Sequence, residues 1–390
     1  MHPDATPTAD FPVGPIRGAA SPCQHLLLRA HAGVTVATGA SGLSMNVCDP
    51  LGSPNTWDRE LQSYPAASVF HTAAWARVLV RTYGHKPFYL RFCHEMAAPA
   101  LVPLMEVQSP ITGRRGVCLP FSDLCAPLLP GSIGLHMLRP ALEQVARDHR
   151  WKHLELRGGS PPAGGPDSSP PTFLGHHLDI GPGADVLWQQ LAGSVRRAIR
   201  KAEGHGLHVR IDHDEKAVRS FYSIHARTRR RHGLPPQPFD FFRNLHLERL
   251  IGPDSGFVVT AGWRGNPVAA AVFLRYEKSF IYKFGASDES VWKSRPNNLV
   301  MWEGIRHLAA AGARSLHFGR TSIGQEGLRR FKLSWGAEEE AISYCKYHTH
   351  ASAWQEVNAN SARRLTRSIF RLMPLSLNRL AGRLLYPHLD

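Results

Sequence analysis

The residues best placed to do chemistry stand between 318 and 336, FGRTSIGQEGLRRFKLSWG. Arg320, Thr321, Ser322, Gln325 and Glu326 put donors, acceptors and charge on a glycine-punctuated turn, while Leu328, Phe331, Leu333 and Trp335 can bury and so hold Arg329, Arg330 and Lys332 in fixed directions. A cation fixed in this way can stabilise negative charge on an oxygen, and neighbouring carboxylates can accept protons. An ordinary loop followed by a solvated surface helix would show the same pattern. Outside the stretch, Asp123 between Phe121 and Leu124 is an acid in apolar company. It reads either as a turn cap acting on its own backbone or as a substrate-binding group. Glu303 and Glu326 are further candidates for accepting a proton. His71, His225 and His317 could act as bases, although in a chain with 22 histidines each is as readily structural.

Such side chains need a frame, and 390 residues with 43% hydrophobic and 20% charged content can supply two or three cored domains. The six cysteines show no CxxC and no paired spacing, which argues against a zinc ribbon or a disulfide framework, so no metal is expected. Reduced thiols, no apolar run near ~18 residues and acids before the first basic residue point to a cytoplasmic protein. The net charge of +15 is concentrated: residues 186–250 hold 13 Lys or Arg against 6 Asp or Glu, and 361–390 hold six Arg against Asp390 alone. Fields localised like this attract phosphates, on nucleic acid, on a nucleotide conjugate or on anionic lipid.

Residues 1–45 lack a sustained period and read as a disordered extension, with organised sequence from near Trp57. A helix is expected within 68–84, capped by Thr72 and stopped by Gly84. Strands at 87–93 and 99–107, a helix at 133–149 and a strand at 152–157 complete a first domain, 46–172. It closes with the Pro, Gly and Ser run 158–172. The second domain, 173–350, opens with a strand at 173–180 and then a helix. There Leu187, Leu191, Val195 and Ile199 recur every fourth residue, which leaves Arg196, Arg197, Arg200 and Lys201 on a cationic face. Helices at 215–231 and 239–250 precede a three-strand meander at 256–287, a helix at 298–311, a strand at 314–318 and a strand at 341–348. The helix and strand at 133–157 match those at 298–318 at an offset of roughly 160 residues, as in a duplicated domain with a cleft between the copies.

Five stretches, VFHTAAWARVLVRTYG, LPFSDLCAPLL, SVRRAIRKAEGHGLHV, FGASD with RPNNLVMWEGI, and FGRTSIGQEGLRRFKLSWG, give a chain that resembles the Fem family of N-acyltransferases and the related BioF2-like acetyltransferase domains. The resemblance covers roughly residues 57–348. It implies an α/β fold of two tandem GNAT-like domains, mixed sheets flanked by helices, and acyl transfer to an amine of a cell-envelope precursor. An FKxxxG-like segment of the family falls on Phe331 and Lys332, and its basic helix on Arg196 to Lys201. Acyl transfer needs a deprotonated amine, a positioned carbonyl and a stabilised tetrahedral oxygen. Lys332 is the expected oxyanion donor, with Asp123 or Glu326 as proton acceptor and Arg295, Asn298, Trp302, Arg320 and Thr321 as further substrate contacts.

No bound cofactor is expected. The acyl donor is an acyl-CoA or an aminoacyl-tRNA, and the residues leave the choice open. Where a CoA-binding GNAT domain carries a glycine-rich pyrophosphate loop, this chain reads RPNNLV; Asn297 and Asn298 at a helix N-terminus are the substitutes on offer. Two other readings remain at this point: a CoA-dependent acetyltransferase on a small amine or nucleotide sugar, and a non-catalytic basic protein that binds RNA or membrane. The C-terminal segment 351–390 interleaves Arg with Leu, Ile and Phe from 361 onward. It suits either an anionic membrane surface, which would make the protein peripheral at the inner face, or a helix docked on the protein's own body.

Overall fold

The structure is a computed structural model that describes residues 43–94, 97–131, 133–158, 173–357 and 364–389. The expected N-terminal extension lies outside these residues up to 42, as does 159–172 of the Pro, Gly and Ser run. The chain opens with β1 (Ser44–Cys48), α1 (Pro54–Leu61) and α2 (Ala73–Tyr83). Next come β2 (Lys86–Pro87), β3 (Tyr89–His94), β4 (Ala97–Val102), β5 (Met105–Ser109) and β6 (Gly113–Val117), and α3 (Leu135–Asp148) crosses over to β7 (His153–Arg157). Organised structure therefore starts before Trp57, since β1 pairs with β3 along its whole length. An edge strand this short shows no readable period. The single strand expected at 99–107 is two, β4 and β5, because Pro103 has no N–H to give to a ladder. Helix α2 forms as its caps dictate: the Thr72 side chain accepts the Trp75 N–H, and Gly84 at φ +71° ends it.

The second half runs β8 (Phe173–Asp179), α4 (Ala184–Gln190), α5 (Gly193–Gly204), β9 (His208–Asp212), α6 (Glu215–Arg231) and α7 (Phe239–Leu247). The helix expected from 186 onward is thus broken in two, with Leu191 leaving helical backbone at ψ 138°. The meander β10 (Phe257–Trp263), β11 (Asn266–Tyr276) and β12 (Ser279–Ser287) leads through α8 (Pro296–Ala310) to β13 (Ser315–His317), β14 (Thr321–Ser322) and α9 (Glu326–Leu333). Strands β15 (Glu338–Ile342), β16 (Tyr344–His348) and β17 (Ala353–Glu356) are followed by α10 (Arg364–Leu372) and α11 (Leu375–Leu385).

Among the described residues three sheets result. β1-β3-β4 is a small one; β17-β16-β7-β6-β5-β2 has six strands; β14-β8-β13-β12-β11-β10-β9, with β15 also on β8, has eight. The two larger sheets repeat one unit, β6–α3–β7 and β12–α8–β13, each a parallel pair joined by a crossover helix. The stretch 341–348, expected as one strand, divides at Ser343: β15 ends in the eight-stranded sheet and β16 begins in the six-stranded one. Ser343 is where the chain crosses back into the first half.

Packing joins the halves. One face of the eight-stranded sheet, with Val272 and Ile281, shares a core with Phe70, Trp75, Phe241 and Phe242. The other face is covered by α5 and α8, with Ile199, Phe273, Ile305 and Trp335 in a second core. At about 1.5–3 kcal/mol for each large apolar side chain buried, such a shared core fixes the halves far more firmly than a linker could.

Candidate active site

The site begins where two strands part. β12 and β13 run parallel only from Ser279, Phe280 and Ile281 against Ser315, Leu316 and His317. β12 continues to Ser287, while the chain beyond His317 turns off through Gly319 at φ +70°. At the fork β12 carries a bulge: Tyr282 faces Phe273 and Phe284 faces Val272, which leaves Lys283 as the extra residue. Bulges re-aim side chains. Lys283 is turned into the interior, 5.2 Å from the centres of both the Phe70 and Phe284 rings, and donates to Asp123 Oδ2 at 2.6 Å and to the Phe121 carbonyl at 2.7 Å.

Asp123 reaches the fork on the loop after β6, which is held in strained backbone. Leu119 (φ +40°) and Phe121 (φ +63°) both adopt left-handed conformations that side chains resist. Such residues cost about 1–3 kcal/mol each and persist only when their surroundings over-determine them. Here the loop carbonyls are gripped from three sides. Arg157 donates to Leu119 O and Ser122 O, Lys283 to Phe121 O, and the Tyr344 hydroxyl to Asp123 O at 2.6 Å. Arg157 and Tyr344 flank the Ser343 crossing, so the return of the chain to the first sheet also locks the loop.

Lys332, on α9, is buried, and its ammonium donates to Gly319 O at 2.7 Å and Arg320 O at 3.1 Å. An ammonium has three donors, and the third makes no hydrogen bond among the described residues. The Arg320 guanidinium lies over the Phe173 ring (4.5 Å) and the Tyr344 ring (5.2 Å), fixed by cation–π contact with no hydrogen bond spent among the described residues. Asp123 Oδ1 likewise accepts none there. A Cβ on Gly319 would touch the Asp123 carboxyl at 3.5 Å, an ordinary contact; it is the φ of +70° that favours glycine here.

Burial pushes the Asp123 carboxyl up, but Lys283 and then Arg320 outweigh it and hold the group below the ordinary carboxylate range. Burial draws Lys283 down from the usual lysine range against the pull of Asp123. For Lys332, burial dominates and lowers the pKa to about 8, with Asp123 opposing and Lys283 assisting. The cluster therefore holds an ionised acid and two cations in a largely water-excluded place, where each charge acts more strongly than at the surface.

Lys332, Asp123 and Arg320 are thus brought together, and Lys283 was not among the residues singled out from sequence. A lysine in β12 on the core-facing parity of Ile281 was the available signal. Glu326 lies apart: it is exposed at the start of α9 and pairs with Arg329 at 3.7 Å. Thr321 is beside the fork, its hydroxyl oxygen buried with no hydrogen-bond partner among the described residues. Phe331 packs edge-on against Trp335. Trp302 is a core residue, buried against Trp188 at 4.9 Å. Arg197 and Lys201 are exposed and Arg196 half-buried on α5, on the sheet face opposite the Asp123–Lys283 pair. At the start of α8, Arg295 is exposed and its carbonyl takes the Asn298 N–H, so that amide is already engaged; Asn297 donates to Ser287 Oγ.

His71, His225 and Glu303 face other neighbours, and His317 borders the fork. Burial holds His71 near 4, and it bonds Ser68 and Ala126. His225 is buried among rings, which holds it well below the ordinary range. His317 Nδ1 accepts the Gly319 N–H, so its Nε2 carries the proton shared with Glu340. Glu303 accepts from Arg306.

Residues 190–339 match the family model described as an acetyltransferase (GNAT) domain. That span contains Lys283, Arg320 and Lys332; Asp123 comes from the first half. Among solved structures, FemX superposes with a TM-score of 0.59 at 13% identity, over 74% of this chain and 94% of that one. The C-terminal domain of an Agrobacterium fabrum protein named as a lysylphosphatidylglycerol synthetase superposes with a TM-score of 0.50 at 13% identity, over 75% and 92%. No curated protein matches the chain in sequence. At these identities the likeness to the solved structures is one of fold.

Proposed function

We propose that this GNAT acyltransferase, built on a Fem-like tandem fold, moves an acyl or aminoacyl group from a phosphate-bearing donor to an amine of a cell-envelope precursor, of peptidoglycan or extracellular polysaccharide. The observation that carries the reading is the unspent polar capacity gathered at one fork: the third Lys332 hydrogen, the Arg320 guanidinium and Asp123 Oδ1.

Attack of the amine on an ester or thioester carbonyl builds negative charge on the carbonyl oxygen. Lys332, rigid and protonated at neutral pH, supplies a donor for it without having to reorganise. Asp123 is too acidic to be an efficient base near pH 7, so its role is to accept a hydrogen bond from the amine and aim the lone pair. The C–N bond forms, the C–O or C–S bond breaks, and the amine proton leaves with the departing oxygen or sulfur. Arg320, with its fork of donors free, suits a phosphate or carboxylate of the donor or acceptor.

FemX and the synthetase domain favour aminoacyl transfer by analogy of fold, and the acetyltransferase description of the matched family favours acetyl-CoA. Binding of acetyl-CoA and of charged and uncharged tRNA, each at low and moderate salt, separates the two. Preference for charged tRNA that survives moderate salt identifies an aminoacyl donor; saturable acetyl-CoA binding identifies the other. Binding of neither donor class would overturn the proposal.

A further inference from the structure

Helix α11 is docked the wrong way round for a helix that merely closes a core. Its body-facing side carries Asn378, which is fully buried, and Gly382, where a Cβ would meet Pro236 O at 1.9 Å. The close approach at Gly382 fixes the rotation of the helix. Leu377, Leu380 and Leu384, spaced i, i+3, i+7, are left on an outward stripe, Leu384 61% exposed. The preceding helix α10 adds Ile369 and Leu372, the latter 84% exposed.

Charge accompanies the stripe. Between residues 357 and 389 there is no Asp or Glu, and six arginines fall in 361–389. Beside the leucines, a groove of about 570 Å³ lies between α11 and the α6–α7 pair, with Arg219, Arg379 and Arg383 on its walls against the single carboxylate of Asp240. Arg379 lies over the Tyr222 ring at 5.3 Å, and its Nε is buried without a hydrogen-bond partner among the described residues. An apolar stripe flanked by arginines is complementary to acyl chains under anionic headgroups.

We infer that α10 and α11 form a docking surface for an anionic lipid bilayer, with leucines entering the interface and Arg371, Arg379 and Arg383 meeting lipid phosphates. No helix among the described residues is long and apolar enough to cross a membrane, so attachment of this kind is interfacial. The surface stands apart from the reaction chemistry, although the Tyr386 ring that ends α11 packs 5.6 Å from Phe121, two residues before Asp123.

The test is flotation of the full chain with vesicles of phosphatidylcholine alone or mixed in equal parts with phosphatidylglycerol. The wild type should float with the mixed vesicles and stay behind with the neutral ones. Leu377→Ser/Leu380→Ser/Leu384→Ser, and separately Arg371→Glu/Arg383→Glu, should each weaken the association by roughly tenfold or more. These positions are exposed, and unchanged circular dichroism would verify that the variants fold. Failure of the wild type to float, or undiminished flotation of both variants, would overturn the inference. So would light scattering showing a dimer that the leucine substitutions convert to monomer, since a second copy would then be the occupant. Because the readout is binding, it stands or falls independently of acyl transfer.

Discussion

The Asp123–Lys283 pair joins the loop of the first half to the bulged strand of the second, and its energetics can be measured. Lys283→Met removes the partner of a carboxylate whose side chain is 15% exposed, and with it the donor to Phe121 O. Breaking a buried pair from one side costs about 3–5 kcal/mol, most of it the burden of the charge left behind. Asp123→Asn strands an ammonium only 6% exposed and should cost a similar amount. In Lys283→Met/Asp123→Asn both charges are gone, and an unbranched Met fills the slot between Phe70, Trp75 and Phe284. The double variant should therefore lose less than the sum of the singles, by about 2 kcal/mol or more. Urea unfolding of the four proteins reads the cycle. Acid dependence gives a second readout: a carboxyl held low in the folded state contributes stability above its ordinary pKa and loses it as pH falls through the folded value. In Lys283→Met burial is opposed less, so that acid-dependent loss should shrink. Strictly additive losses, or an unchanged acid dependence, would refute the clamp.

Other consequences follow from the same geometry. Lys332→Ala should reduce single-turnover transfer by about 10²–10³-fold, the usual cost of one oxyanion donor. Wild-type turnover should fall as pH passes about 8, where Lys332 gives up its proton, and Lys332→Arg should move or abolish that limb. The stability linkage has the opposite sign: between about 8 and 10.5 the unfolded chain binds the proton that folded Lys332 has released, so this group's contribution to stability rises with pH, as urea midpoints across the window would show. Gly319→Ala places a side chain at φ +70° against the Asp123 carboxyl; it should cost about 1–2 kcal/mol and lower turnover more than affinity, as kcat and KM will separate. Glu326→Gln should leave turnover within about twofold, because Glu326 faces solvent.

Much of this was legible from residue types. Thr72 and Gly84 announce α2, the stretch 256–287 announces the meander, and Phe331 with Lys332 marks the buried ammonium. What stayed hidden begins with sheet membership, because local pattern carries no information about which sheet a strand joins. Residues 341–348 alternate without a visible break, yet Ser343 divides two sheets, and the crossing delivers Tyr344 to the Asp123 loop. Lys283 shares the core-facing parity of Ile281, but a lysine in a strand ordinarily faces solvent, and the bulge that aims it at Asp123 leaves no mark in the local pattern. For Trp302 the local pattern does not discriminate, since an aromatic in a helix facing a core has the same spacing as one lining a cleft.

The most direct test is single-turnover transfer, with labelled acetyl-CoA and labelled aminoacyl-tRNA offered separately to the protein together with amine-bearing peptidoglycan and polysaccharide precursors. Label should appear on an acceptor amine from one donor class, and folded Lys332→Ala should lose that transfer by about 10²–10³-fold. Absence of transfer from both donors, or undiminished transfer by Lys332→Ala, would contradict an acyltransferase centre at the β12–β13 fork.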